Sequence, residues 1–286
     1  MKILLTGAAG FTGRHFARIA RAAGHDVIPL VSDLLDATAI AEEVGRVQPE
    51  WIVHLAAISF VGHEVERAFY DVNVFGTLNL LAGVKECRSL SKLLVASSAN
   101  IYGNTEASPI RETQPPAPVN HYAASKTVME FMLRARAGDA PLVITRPFNY
   151  TGVGQSLQFV IPKLVDHFRR RATTIPLGNL DVEREYNDVR FVCAAYLRLL
   201  ESPVTSGTFN VCTGVTYPLR SVLGLLEELS GHEIQVEVTP SLVRANEIRR
   251  LCGDPALLQQ TIGDGPTISL RDTLSWMLAS AGEVDA

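Results

Sequence analysis

A chain of 286 residues can bury a large core, and 47% hydrophobic against 20% charged residues excludes a disordered chain. A formal net charge of −4 without any Lys/Arg-rich block argues against a nucleic-acid or anionic-membrane partner, and no apolar run reaches the ~18 residues of a spanning helix. Cys87, Cys193, Cys212 and Cys252 lack CxxC or Cys/His spacing, so they read as reduced thiols with no metal site. The opening MKILLTG lacks a basic, long-apolar signal, which makes the expected location cytoplasmic.

Five apolar runs, KILLTG, DVIPLV, WIVHLAA, KLLVASS and PLVITRPF, alternate with helix-length segments. Few polar interruptions are what strands covered on both faces require, so the pattern predicts an α/β fold with a Rossmann-type, doubly wound parallel sheet over residues 1–150. The first strand runs into TGAAGFTG, where Gly7, Gly10 and Gly13 allow a tight turn and bring helix N-terminal N–H groups to a pyrophosphate.

The second strand ends in Val31 and Ser32, where an acid would grip the ribose 2′-OH of NAD. A neutral end does not repel a 2′-phosphate, so NADP(H) is slightly favoured over NAD(H). Arg14 offers positive charge nearby, and Asp33, with Leu34, is assigned to the adenine edge. His54, in the third strand, reads as a satisfied core histidine.

The fourth strand ends in Ser97 and Ser98 at the carboxyl edge of the sheet, where a hydroxyl can hold a substrate carbonyl. Four residues apart on a helix, Tyr122 and Lys126 face the same way, and a nearby ammonium would draw the phenol toward working pH. Beyond residue 150 the rhythm loosens. A helix and the strand GTFNVC, over 188–213, return to the first domain, and the rest of 151–286 forms a smaller lobe.

TGAAGFTG, HLAA, SSANIYG, the YAASK pentad and RPFNYTGVGQ together resemble the extended short-chain dehydrogenase/reductase family over nearly the whole chain. The resemblance implies an NAD(P)-dependent oxidoreductase acting on a nucleotide-diphosphate sugar, with Ser98, Tyr122 and Lys126 as catalytic residues. Ser98 is selected over Ser97 because the family's serine lies four residues before the Tyr of the xYG turn, here Tyr102, which is expected to pack near the site. Phe11, Leu55, Ala56 and Ala57 would join the glycines, Tyr122 and Lys126 around the cofactor. Ser59, Asn100, Asn149, Arg184, Arg244 and Glu247 would meet the substrate.

The family's 4,6-dehydratases carry acids directly after the active-site Ser/Thr, whereas Ala99 and Asn100 stand here. That leaves reduction of a 4-keto group or 4-epimerisation. FVIP, GNLDVEREYNDV, AYLRLL and FNVCTG are most similar to the branch that reduces GDP-4-keto-6-deoxy-D-mannose to GDP-D-rhamnose, which makes a GDP-linked sugar the expected partner. The departures are His121 where proline is common before the tyrosine, and RANE where relatives have RPxE. A non-catalytic dinucleotide-sensing regulator is the alternative of another class, but such proteins typically lack the tyrosine or the lysine. The resemblance also implies a homodimer through the 64–87 helix and the Tyr122 helix, with Phe69, Phe75, Val128 and Met132 as the apolar surplus.

Overall fold

The computed structural model describes residues 1–138, 140–242 and 248–280. Strand β1 (Lys2–Thr6) leads into helix α1 (Phe11–Ala22), followed by β2 (Asp26–Pro29), α2 (Ala37–Val47) and β3 (Trp51–His54). Helix α3 (Glu66–Tyr70) continues through a π-helical stretch, Asp71–Gly76, into α4 (Thr77–Gly83). Then come β4 (Lys92–Ala96), α5 (His121–Arg136) and β5 (Leu142–Pro147). All five expected strands are present.

A sixth strand, Gly207–Val211, pairs with β5, and the sheet runs in the order sixth strand, β5, β4, β3, β1, β2. Every pairing is parallel. Strand β2 is therefore an edge. Every residue of β3 and β5 is buried, which explains why their sequences carry few polar interruptions rather than alternation.

Two cores cover the two faces. Phe16 of α1 and Tyr196 pack with Trp51 on one side, whereas Ile40, Leu80 and Met129 from α2, α4 and α5 pack on the other. Asp36 and Asn120 cap α2 and α5 by accepting from Ala39 N (2.9 Å) and Ala123 N (2.8 Å), each a contribution of about 1 kcal/mol. The second cap also fixes where α5 begins, and so where Tyr122 stands.

Helices α6 (Val160–Arg169), α7 (Val189–Glu201), α8 (Leu219–Ser230), α9 (Ala256–Ile262) and α10 (Leu270–Ala279) complete the described chain. Leu164, Phe168, Leu226 and Leu274 of α6, α8 and α10 form a separate core, while α7 packs on α1 beside the main sheet. Glu183–Arg184 lies between Tyr217–Pro218 and Arg250–Leu251 in a small sheet. Hydrogen bonds from His15 Nε2 to Val153 O (2.9 Å) and between Thr12 Oγ1 and Tyr150 Oη (2.8 Å) tie this lobe to α1. Among the described residues no helix is long and apolar enough to cross a membrane.

One expected surface residue is not on the surface. Phe69 is 1% exposed because its ring packs against Tyr122, centroids 6.1 Å apart. Phe75 and Val128 do face outward, joined by Phe131, and Met132 is half-buried.

Candidate active site

The chain order reverses between β1 and β3, and a cleft of about 680 Å³ opens at their carboxyl ends, reaching from the glycine turn past Ser98 and Tyr122 to Arg184. Gly7 has φ +69°, and a Cβ there would stand 2.7 Å from Ala56 N. At Gly13 a Cβ would stand 2.1 Å from Gly7 O. Only glycine fits either place. No side chain caps α1, so its positive end is left for an anion, and Gly7, Gly10, Phe11 and Gly13 line the cleft there.

Thr6 Oγ1 accepts from Leu55 N (3.2 Å) and Ala56 N (3.1 Å), which leaves its proton for His54 Nδ1 (2.7 Å). His54 Nε2 in turn meets Thr77 Oγ1 (2.8 Å), whose own proton goes to Asn73 O (2.7 Å). This chain of bonds fixes one neutral tautomer, and burial, followed by the nearby Lys126 charge, pushes the His54 pKa down to about 3. His54 is a satisfied core residue, as expected. Leu55 and Ala57 line the cleft, and Ala56 packs against the core.

Ser98, Tyr122 and Lys126 meet on the cleft wall, each at least nine-tenths buried. Ser98 Oγ accepts from both Asn100 N and Asn100 Nδ2 (3.1 Å each), which leaves its own proton for the Tyr122 phenol, to which it is hydrogen-bonded. Burial holds that phenol above its ordinary pKa against the opposing Ser98 bond. The expectation that Lys126 draws the phenol down is therefore not met. Lys126 Nζ donates to Ala96 O (2.8 Å), and burial, opposed by Glu130, brings its pKa to about 8.

A buried ionic network stands behind these residues. One helical turn beyond Lys126, Glu130 accepts from Arg146 Nε (3.0 Å) and Nη2 (2.7 Å), while Arg146 Nη1 donates to Tyr102 Oη (2.8 Å). Tyr102 donates to Asn210 Oδ1 (2.7 Å) on the sixth strand. Both ends of α5's active face are thus fixed to the sheet.

Ser59, Asn100, Asn149 and Arg184 line the cleft. Arg184 is held by the carbonyls of Glu183 (2.9 Å), Arg249 (3.3 Å) and Ile248, which steadies its charge. Arg244 and Glu247 lie outside the described residues. Arg14, Ser32, Asp33 and Leu34 are not on the cleft wall. Arg14 donates to Ala9 O (2.6 Å) and Gly154 O (3.2 Å), and Asp33 Oδ1 accepts from Leu35 N (2.9 Å). Leu34 has a core side chain, packed over Gly76, where a Cβ would approach it to 2.9 Å.

Other residues near the site went unread in the sequence. Asn73, wholly buried in the π-helical stretch, binds Ile58 N (2.9 Å), Ile58 O (3.1 Å) and Ser125 Oγ (3.0 Å), fixing the loop after β3 to α5. A polar residue amid the apolar helix DVNVFG was its only signal. Tyr150, on the cleft wall, stacks on Phe11 with centroids 6.1 Å apart.

A glycine-turn nucleotide site joined to a Ser, Tyr and Lys cluster, beneath a second lobe, defines a nicotinamide-dependent oxidoreductase. A family model described as GDP-mannose 4,6 dehydratase matches residues 29–277. GDP-6-deoxy-D-talose 4-dehydrogenase of Aggregatibacter actinomycetemcomitans is 34% identical, covering 92% of each chain. GDP-6-deoxy-D-mannose reductase of Pseudomonas aeruginosa is 32% identical over 97% of this chain and 96% of its own. A Burkholderia cenocepacia crystal structure, provisionally named an epimerase, superposes with a TM-score of 0.90 at 43% identity, covering 97% of this chain and 96% of the other. The chain belongs to the nucleotide-sugar-modifying branch of the extended short-chain dehydrogenase/reductase family. Related structures hold NADPH or NAD, and the chain is an NAD(P)-dependent oxidoreductase.

Proposed function

We propose that the protein reduces the C4 ketone of a nucleotide-linked 4-keto-6-deoxyhexose, GDP-4-keto-6-deoxy-D-mannose foremost, to give GDP-D-rhamnose. One observation carries this reading: Tyr122, a neutral proton donor at pH 7, stands beside Ser98, and the acids that water elimination needs are replaced by Ala99 and Asn100. Ala99 is wholly buried and Asn100 is committed to Ser98, so neither serves a departing C6 hydroxyl.

When bound, the nicotinamide supplies the hydride. Tyr122 gives its proton to the C4 oxygen, which Ser98 holds by a hydrogen bond. Lys126 holds the nicotinamide ribose, and the Ser98 hydrogen bond is what favours the phenolate left behind. Asn149 and Arg184 face the diphosphate, for which a guanidinium suits both charge and geometry.

The relatives' names support C4 chemistry on a GDP-linked 6-deoxyhexose, since talose and mannose differ in configuration at that carbon. The structure that carries an epimerase name favours a second reading, 4-epimerisation with a retained nicotinamide. One assay separates them. With GDP-4-keto-6-deoxy-D-mannose, a reductase consumes reduced nicotinamide in proportion to product, and NMR of that product assigns C4. Interconversion of C4 epimers of an NDP-hexose without net consumption would establish the epimerase instead. Binding of cofactor with no turnover on any of the GDP-, dTDP- or UDP-linked sugars would favour the sensing regulator.

A further inference from the structure

The end of β2 carries no acidic side chain of its own, yet a carboxylate has been brought there from α2. Glu43, 5% exposed, accepts from Ser32 Oγ (2.6 Å), Ser32 N (2.9 Å) and Val31 N (3.2 Å). Burial would raise its pKa, but the Ser32 and Val31 donors outweigh burial and keep it ionised. In a dinucleotide fold the adenosine ribose lies over this strand end, about 20 residues beyond the glycine turn.

A ribose 2′-OH and a 2′-phosphate ask opposite things of such a site. The hydroxyl can donate, whereas a phosphate dianion only accepts and must be met by donors. Here the donors at the strand end are spoken for. The Ser32 hydroxyl proton goes to Glu43, with Ala39 O a further acceptor at 3.2 Å, and both backbone N–H groups also point at Glu43. What Ser32 still offers is oxygen lone pairs.

Charge acts in the same direction. Glu43, Asp33 and Asp36 belong to the same loop and helix, and Arg46 Nη2, 3.9 Å from Glu43, is a 71% exposed guanidinium screened by water. Arg14 is occupied by the carbonyls of Ala9 and Gly154. We infer that the β2 end selects a free ribose 2′-hydroxyl over a 2′-phosphate, with Ser32 as the acceptor and Glu43 as the carboxylate that aims it. The chain then prefers NAD(H), the reverse of what the neutral Val31 and Ser32 suggest in sequence.

The test is a fluorescence titration of the purified chain with NADH and with NADPH, backed by competition between ADP and 2′,5′-ADP. No sugar is present, so the result is independent of which substrate the cleft takes. NADH should bind about tenfold tighter, the scale expected of one carboxylate near a phosphate at a partly solvated site. Ser32→Ala should weaken NADH several-fold while leaving NADPH unchanged, and Glu43→Gln should narrow the gap. Equal or tighter binding of NADPH by the wild type would overturn the inference. So would a Ser32→Ala variant that weakens both cofactors alike, which decides the matter even if Glu43→Gln does not fold.

Discussion

Tyr122 and Lys126 have had their ordinary pKa values moved in opposite directions by the same cause. Burial disfavours whichever form is charged, so it raises the phenol and lowers the ammonium, to about 8 for Lys126. Tyr122→Phe keeps the ring and its packing on Phe69 but removes the proton. Turnover should fall at least ~100-fold with NADH affinity nearly intact, and activity above about a tenth of wild type would contradict the assigned role. Lys126 loses its charge as pH rises through about 8. Since kcat/KM for the cofactor reports groups of the free enzyme, it should be level below that pH and decline above it. A flat profile to roughly pH 9.5 would exclude Lys126 as a charged ribose ligand. Ser98, Tyr122 and Lys126 were legible because their spacing and flanking motifs are local, as were the glycines. Asn73 and Glu43 were not, since each acts on segments 11 to 52 positions away and shows its partner only after the chain has folded.

At the scale of elements, α5 has two working faces. Its inner face carries Tyr122, Lys126, Glu130 and Leu133 against the sheet, and its outer face leaves Val128 (40%) and Phe131 (58%) in the open beside Phe75 (58%) of the π-helical stretch. Exposed apolar side chains on two elements that pack on each other fit a homodimer seam, with a copy of the same helices as partner. Phe131→Glu is expected to give a monomer by light scattering at micromolar concentration without lowering the melting temperature of the fold, because that side chain packs little within the chain. A wild type that is already monomeric would dismiss the seam. The alternation of strands and helices in the sequence was enough to place this helix and the sheet beneath it. Burial of Phe69 was not foreseen, because three helical stretches in succession, the middle one π, rotate the exposed stripe away from where a regular α-helix would put it.

Across the whole molecule, the Glu130 and Arg146 pair joins α5, β5 and, through Tyr102, the sixth strand. Removing one partner of a buried pair strands the other, so Glu130→Ala should cost about 3 to 5 kcal/mol in denaturant unfolding. Burial works against the Glu130 charge, but the Arg146 bonds prevail and lower its pKa. The stabilisation is therefore present above the unfolded carboxylate pKa of about 4.3 and is lost on acidification below it. A Glu130→Ala variant as stable as wild type at neutral pH would show the pair to be dispensable. The open border of the sheet sets another property of the molecule as a whole, its tendency to stay dispersed. Asp26 N and Leu30 N both donate toward β1, so residues of the opposite phase, Val27 and Pro29, turn their amide positions outward. Proline has no N–H, which leaves Val27 as the outward donor of a four-residue strand and gives a foreign strand too few hydrogen bonds to hold. Pro29→Val would restore the missing donor, and concentrated solutions of that variant should turn turbid on warming before wild type does.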